Sequence, residues 1–222
     1  MISRYRGFLG WSFRARTKLV LGLALSVAAL CLFPIPVHSQ PQTIVAVNLR
    51  TPDFVVYEQK YRVFYMTGQR KFIPIADYDF WAALTDELVD VLSEDARAAW
   101  RAPSAEETGY LASYFADKKG QGSLPESVPA DRLLLVDVGE YGAMVSSHPL
   151  VKDQFLVAAR VRLVDRVTGR KVWEKTIREG LNLPGKLPEL QADNQKGLKQ
   201  AINKLLEEFC IRIRTKLKEA KI

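Results

Sequence analysis

The chain has 222 residues, of which 32 are Lys or Arg and 25 are Asp or Glu, giving a formal net charge of +7. Five of the cations lie in the first 18 residues, where there is no acidic residue: Arg4, Arg6, Arg14, Arg16 and Lys18. The rest of the chain has 27 cations against 25 acidic residues. A strongly basic domain is the usual electrostatic sign of nucleic-acid binding. Because this balance lacks it, we predict no nucleic-acid partner.

The first 39 residues have the layout of a secretory signal peptide. The basic start is followed by the apolar run Leu19–Phe33, by two prolines, and by a segment suited to a signal peptidase. We predict cleavage before Gln40 and a periplasmic or extracellular location. The alternative is an uncleaved inner-membrane anchor, but the run has about 15 residues where a spanning helix needs roughly 20. Cys31 follows Leu30, where a lipoprotein signal has a small residue, so we do not expect lipidation.

Residues 40–222 contain one cysteine, Cys210, which excludes an intramolecular disulfide. A domain of this length can bury roughly 70% of its unfolded surface and be stable through its core alone. We therefore predict a single α/β domain over residues 40–222. Cys210 lies beside the apolar stripe of the last predicted helix, which indicates a buried thiol; a disulfide between two chains is the alternative.

The sequence of the first third of this domain predicts three strands and a helix. Thr43–Leu49 and Phe54–Met66 are rich in β-branched and aromatic residues, and Thr67–Arg70 has turn residues before a further strand over Lys71–Ile75. Apolar residues at helical spacing then predict a helix over Phe80–Asp95.

The same stretch is unusually aromatic, because nine of the residues 54–81 are Phe, Tyr or Trp. Aromatic side chains are favoured at protein interfaces, where they combine apolar area with a polar group, and they serve equally well in a core. The alternative to an interface is therefore a β-sheet core. The candidate interaction surface consists of Tyr57, Tyr61, Tyr65, Phe72 and Tyr78.

The middle of the chain predicts a short strand over Ala98–Ala102 and a second helix over Ala105–Asp117. Ser104 and Glu107 fit a capping box at the start of that helix. The strand predicted over Arg132–Val138 is apolar at every position from 133 to 136, which is typical of a central strand covered on both sides.

A loop, a hairpin and a long helix are predicted to end the chain. The loop is Glu140–Asp153, and the hairpin pairs Phe155–Val164 with Arg170–Arg178 around Gly169. The helix is Leu190–Lys218, and residues 196–222 have eight cations against three glutamates. This basic end indicates either peripheral contact with an anionic membrane or a solvated helix face. The predicted fold is a mixed, mainly antiparallel sheet packed by about three helices.

Few residues beyond residue 39 suit catalysis or metal binding. His148 is the single histidine of that region, and a zinc site needs several histidine or cysteine ligands. Acid–base chemistry would have to use carboxylates, of which the candidates are Asp77, Asp79, Asp137 and Glu140. Helix capping, by Asp77 or Asp79, and strand-end roles explain them more simply. We predict no catalytic residue, no cofactor and no metal, with a carboxylate hydrolase as the alternative.

Three segments carry a resemblance to a known group of proteins: Ala130–Val138, Val157–Asp165 and Thr168–Glu174. They resemble the strand and the Thr-Gly hairpin of the small α/β module shared by the amino-terminal domain of TolB, the curli secretion lipoprotein and the lipoprotein activators of penicillin-binding proteins. The resemblance implies a non-enzymatic envelope protein that acts through an envelope protein partner, and it transfers no functional residue. Self-association, and binding of envelope glycan or lipid through residues 54–81, are further hypotheses.

Overall fold

The residues that the structure describes form a seven-stranded mixed β-sheet with helices on both faces. The computed structural model describes residues 41–50, 54–62, 65–95, 98–116, 128–146 and 152–222. The predicted signal peptide, its cleavage site and His148 lie outside these residues. The strands are β1 (Gln42–Leu49), β2 (Phe54–Arg62), β3 (Tyr65–Ile73), β4 (Ala99–Arg101), β5 (Arg132–Ser146), β6 (Gln154–Asp165) and β7 (Lys171–Asn182). The helices among them are α1 (Phe80–Ser93), α2 (Ala105–Ala116), α3 (Leu187–Leu190) and α4 (Ala192–Glu219).

β5 is the centre of the sheet. β1 and β2 follow one another along one edge of β5, both parallel to it, and β6 lies antiparallel along the other edge with β7 beyond. Thr43 lies opposite Arg132 and Leu49 opposite Val138. β4 extends the sheet beside β1, and β3 extends it beside β2. Because the antiparallel pairings are the longer ones, the predicted mixed, mainly antiparallel α/β fold is confirmed.

The two faces of the sheet are packed differently. Alternate residues of a strand point to opposite faces, so that Leu134 and Val136 pack with α1 and α4, whereas Leu133 and Leu135 pack with α2. α1 and α4 enclose the larger core on the first face. α2 packs over one end of the second face, near the start of β1 and β5. We call these the covered face and the open face.

Both α1 and α2 begin at capping side chains. The Asp79 carboxylate accepts a hydrogen bond of 3.0 Å from the backbone N–H of Ala82, so Asp79 rather than Asp77 caps α1. At α2 the Ser104 N–H donates to the Glu107 carboxylate at 2.7 Å, and the Glu107 N–H donates to the Ser104 hydroxyl at 3.3 Å. The predicted capping box is confirmed.

The last helix begins with a left-handed turn. Asp193, Asn194 and Gln195 have φ angles of 48°, 55° and 60°, a conformation that side chains with a Cβ rarely adopt. The Gln195 amide donates to the Pro74 carbonyl at 3.1 Å and accepts from the Ala76 N–H at 2.9 Å. These two bonds tie the turn to the segment between β3 and α1.

Two predicted connections are wrong, and one is confirmed. Part of the predicted loop Glu140–Asp153 is strand, because β5 continues to Ser146. Gly139 is an extra residue between two paired positions, and this bulge shifts the apolar alternation that would have revealed the continuation. The predicted turn Thr67–Arg70 lies within β3. The hairpin between β6 and β7 forms as predicted, with Gly169 at a φ of 63°.

Candidate functional site: the open face of the sheet

An apolar row crosses the open face from β3 to β7. Directly paired residues point to the same face of a sheet, and the register places Phe72 beside Val55, Val55 beside Gly142, Gly142 beside Leu156, and Leu156 beside Gly180. Phe72 is 56% exposed. A row of side chains without charge thus spans five neighbouring strands.

Two glycines keep this row shallow. A Cβ on Gly142 would lie 1.8 Å from the Val55 carbonyl oxygen, so the close approach of β2 to β5 requires a glycine there. A Cβ on Gly180 would lie 3.1 Å from a methyl carbon of Leu156. The Leu156 side chain therefore lies over Gly180, and it is half-buried. The row ends at Phe72, whose side chain is more than half exposed.

Arginines lie on both sides of the apolar row. On one side Arg70, Tyr57 and Met144 are paired across β3, β2 and β5, and the Arg70 guanidinium carbon is 5.0 Å from the centroid of the Tyr57 ring. Such a contact is a cation–π interaction. On the other side the exposed Arg178 is paired with Ala158. The row therefore has a basic residue near each of its long sides.

Asp137 is the centre of a charged cluster near the apolar row on the open face. Its carboxylate accepts hydrogen bonds from the Asn48 amide at 2.9 Å and from Arg50 at 2.6 Å, and its side chain is 8% exposed. Burial alone would raise the pKa of Asp137, but the bonds from Arg50 and Asn48, together with the nearby charge of Arg162, hold it below its ordinary value. Asp137 is thus a fixed anion, whereas a general acid needs a raised pKa.

A second ion pair borders the open face near β7. The Arg160 guanidinium donates to Glu174 at 2.6 Å, and Lys171 also pairs with Glu174. The hydrogen bonds from Arg160 and Lys171 lower the pKa of Glu174 to about 2. Asp137 lies directly opposite Arg160 in the sheet. On the open face, the ion pairs of Asp137 with Arg50 and of Glu174 with Arg160 therefore lie between α2 and the apolar row. We call these pairs the ion-paired belt.

The structure separates the members of the predicted aromatic surface. Tyr57 and Phe72 lie together on the open face. Tyr78 packs against the core of the covered face, where its hydroxyl donates to Asn203 at 2.6 Å and burial raises its pKa. The predicted surface stays a prediction: Tyr57 and Phe72 share the open face, Tyr78 lies on the covered face, and the side chains of Tyr61 and Tyr65 lie outside the described residues.

Two other aromatic residues of segment 54–81, Phe54 and Phe80, lie in the core, which was the alternative to an interface. The Phe54 ring meets Phe155 edge-on at 5.6 Å and Tyr141 at 6.0 Å, and Phe80 stacks on Tyr141 at 4.0 Å. These four rings lie in the main core on the covered face. The aromatic stretch thus supplies both the core and the open face.

The other candidate residues from the sequence lie apart from this face. Asp79 caps α1, and Asp77 lies in the loop before it with a φ of 51°. Cys210 is buried, and burial followed by the nearby Glu87 raises the pKa of its thiol, which disfavours the reactive thiolate form. Glu140 is exposed beside the bulge. Within the described ranges no group of three or more His, Cys, Asp or Glu residues is arranged to hold a metal ion.

Half of the cations at the basic end of the chain form ion pairs. Arg212 pairs with Glu179, Arg214 with Glu94, Lys216 with Glu219, and Lys218 with Asp95. Four of the eight cations beyond residue 195 therefore have a carboxylate partner within the fold. In the part of the chain that the structure describes, no helix is long and apolar enough to cross a membrane.

Known proteins give a broad likeness of fold. The chain matches no protein-family model, and no curated protein is significantly similar to it in sequence. A protein from Xanthomonas campestris is 13% identical, with 85% of this chain and 94% of that chain aligned at a TM-score of 0.49. A chain of the PelC dodecamer from Paraburkholderia phytofirmans is 13% identical, with 82% of this chain and 91% of that chain aligned at a TM-score of 0.40. A lipoprotein from Neisseria meningitidis is 18% identical, with 74% of this chain and 96% of that chain aligned at a TM-score of 0.36.

Sequence reasoning missed most of the apolar row. Gly142, Leu156 and Gly180 were not candidates, because their spacing along the chain says nothing about which residues become neighbours across strands. Isolated glycines inside strand-like segments are a usable signal, since they mark bulges or close backbone approach. Arg70 was missed because residues 67–70 were assigned to a turn.

Proposed function

We propose that this protein is an exported, non-enzymatic envelope protein that acts as an accessory or assembly factor by binding another protein through the open face. The observation that carries the proposal is the apolar row with its exposed Phe72. Interfaces typically bury an apolar and aromatic centre within a polar rim. The row, bordered by Arg70, Arg178 and the ion-paired belt, has that arrangement.

The charges on this face indicate the chemistry of the partner. Arg70 and Arg178 flank the row, whereas Asp137 and Glu174 are neutralised by bonds to Arg50 and Arg160. A partner surface with an apolar ridge and carboxylates beside it would complement them. Such complementarity acts mainly on specificity and on the association rate.

The proposed location depends on the signal peptide predicted for residues 1–39. Cleavage before Gln40 would release the domain into the periplasm or the medium, and an intact amino terminus would leave it anchored in the inner membrane. The intact mass of protein purified from the producing cell separates these outcomes. A mass that begins at Gln40 supports the first location.

Site-specific photo-cross-linking tests the open face. A photoreactive phenylalanine replaces Phe72 in the full-length protein, and the same residue replaces Val167 as a matched control, because Val167 is 74% exposed in the turn between β6 and β7. We expect position 72 to yield a discrete protein adduct in the envelope fraction and position 167 to yield none. An adduct with a second copy of the chain would identify self-association.

A charge substitution checks that the adduct reports a real interface. Aromatic hot-spot residues of an interface contribute about 2 kcal/mol or more, so if Phe72 is such a residue of the proposed interface, Phe72→Glu should reduce recovery of the partner by more than about tenfold. Val167→Glu should leave recovery unchanged. Equal recovery with both variants would reject the open face as the binding surface, and retention on purified envelope glycan or lipid vesicles would then favour those ligands.

A further inference from the structure

β7 (Lys171–Asn182) is an edge strand of the sheet. It pairs with β6 along one side, and among the described residues no strand pairs with its other side. α4 reaches β7 from the covered face, where Arg212 pairs with Glu179. Gly180 is exposed, and because glycine has no side chain, the exposed atoms are those of the backbone. In the part of the chain that the structure describes, the outer edge of β7 is therefore open.

The outward backbone groups of β7 belong to its even-numbered residues. The Leu183 N–H donates to the Asp153 carbonyl at 3.0 Å, so the odd-numbered residues are the ones that exchange hydrogen bonds with β6. The Gly180 N–H instead donates to the Glu179 carboxylate, at 3.4 Å. Because the direction of these groups alternates along a strand, the even-numbered residues turn their N–H and C=O groups away from β6. Three consecutive outward positions are Glu174, Thr176 and Arg178.

The charges along this edge are complementary to the same edge in the opposite direction. Two antiparallel copies of β7 can pair with Thr176 opposite Thr176 of the second copy, and this register places Glu174 opposite Arg178 at two symmetric positions. Opposite charges and threonine pairs that face each other across strands stabilise a sheet. The Glu174 carboxylate accepts from Arg160 and Lys171, and a carboxylate has lone pairs for a further donor.

The register follows from which cation lacks a partner. Outward groups must meet outward groups, so even-numbered residues lie opposite even-numbered residues. Another register that meets this condition is centred on Ile177 and places Lys175 opposite Glu179. Lys175, however, already has the charge of Glu219 nearby, whereas among the described residues the exposed Arg178 has no carboxylate partner within the fold. The register centred on position 176 is favoured because it gives Arg178 that partner.

We propose that a second copy of this chain pairs with the outer edge of β7, antiparallel and centred on Thr176, so that two seven-stranded sheets become one. The contact is two-fold symmetric, because the same edge serves both copies. Strand addition of this kind draws its affinity from main-chain hydrogen bonds, and it removes an edge that would otherwise be open to unspecific pairing. The contact lies in the plane of the sheet and leaves the apolar row uncovered, so it stands or fails independently of the proposed function.

Disulfide cross-linking at the symmetry centre tests the pairing and its register. Opposed residues that exchange hydrogen bonds have Cα atoms about 5.5 Å apart, which is within the range of a disulfide. In the full-length protein, Thr176→Cys should therefore give a covalent dimer under mild oxidation. Val167→Cys, which is exposed in the turn before β7, should give none, and the buried Cys210 is present in both variants. A monomeric Thr176→Cys, or equal dimer from the two variants, would overturn the proposal.

Charge substitutions on the same strand separate this pairing from other contacts. Arg178→Glu places like charges opposite Glu174 at both symmetric positions, so the association constant from sedimentation equilibrium should fall by about tenfold or more. Lys175→Glu is the matched control, because it makes the same change at an exposed position opposite Ile177, and its effect should be smaller. Phe72→Glu on the open face should have none. A monomeric unsubstituted protein, or a larger loss with Lys175→Glu, would contradict the proposal.

Discussion

The covered and open faces are built from the same strands but use them in opposite ways. On β2, Phe54 turns toward the covered face and is 2% exposed, while the register places its neighbour Val55 beside Phe72 on the open face. Phe72 is 56% exposed although it is as large and apolar as Phe54. The comparison shows that strand alternation turns these two phenylalanines to opposite faces, where one is enclosed by the core and the other is exposed.

The two faces also differ in how they hold acidic groups. On the open side, Asp137 and Glu174 lie beside guanidinium groups that lower their pKa, and Glu107 of α2 is held in the same way by Arg101. On the covered side, burial and then the neighbouring Glu207, Asp90 and Glu94 raise the pKa of Glu87 between α1 and α4. Acid should therefore weaken the fold through these groups of the open side, and Glu219 of α4, whose pKa is lowered by the hydrogen bond from Lys216, should contribute as well.

The largest expected effect comes from removing a ring on the covered face. Phe155 is fully buried and meets Phe54 edge-on, so Phe155→Ala should lower the free energy of unfolding by about 3–5 kcal/mol through lost burial and the cavity left behind. Urea denaturation of the purified protein measures it. A loss below about 1 kcal/mol would contradict the assignment of Phe155 to the core.

Breaking the Arg101–Glu107 pair should have the next largest effect. The Arg101 guanidinium, 2.7 Å away, lowers the pKa of Glu107 to about 2. Because the pKa in the folded state is below the ordinary value of about 4.5, the pair stabilises the fold above that pH and loses its effect as pH falls toward 2. Glu107→Gln should cost up to about 3 kcal/mol at pH 7.

The pH profile of unfolding provides the check on that pair. The variant should show a shallower loss of stability between about pH 4.5 and 2 than the unsubstituted protein, because it lacks the titrating carboxylate. Parallel profiles for the two proteins would show that Glu107 does not contribute to the loss of stability in acid.

A glycine pair sharpens the comparison within β5. Gly142→Ala would place a Cβ 1.8 Å from the Val55 carbonyl oxygen, whereas a Cβ on Gly139 would meet its nearest neighbour, the Ala158 carbonyl oxygen, at 3.9 Å. We expect Gly142→Ala to cost about 1–3 kcal/mol by forcing β2 from β5, and Gly139→Ala to cost clearly less. Thermal unfolding of both variants measures the difference, and equal losses would contradict the close approach.

The smallest effect on stability should come from Phe72. Because its side chain is more than half exposed, Phe72→Ala should change the free energy of unfolding by no more than about 0.5 kcal/mol. Measured beside Phe155→Ala, it tests the contrast between the two faces directly. A loss comparable to that of Phe155→Ala would place Phe72 in the core.

Local patterns in the sequence predicted the elements, and long-range pairing decided the rest. The helical stripe that includes Leu84 and Leu88, the turn at Gly169 and the buried run from residue 133 are readable from spacing alone. The contact between Arg50 and Asp137 joins residues 87 positions apart, and no periodicity indicates it. The apolar row was equally hidden, because it depends on the bulge at Gly139 and on the register of five strands.

The pairing of β1 also has a consequence for the export that we propose. β1 is the first strand after the predicted signal, and its contact between Asn48 and Asp137 spans 89 residues. Contacts so distant along the chain make folding slow. While the chain is being made, its leading strand has no β5 to pair with, so the sheet closes only after β5 has been made, which suits the unfolded chain that the proposed export would need.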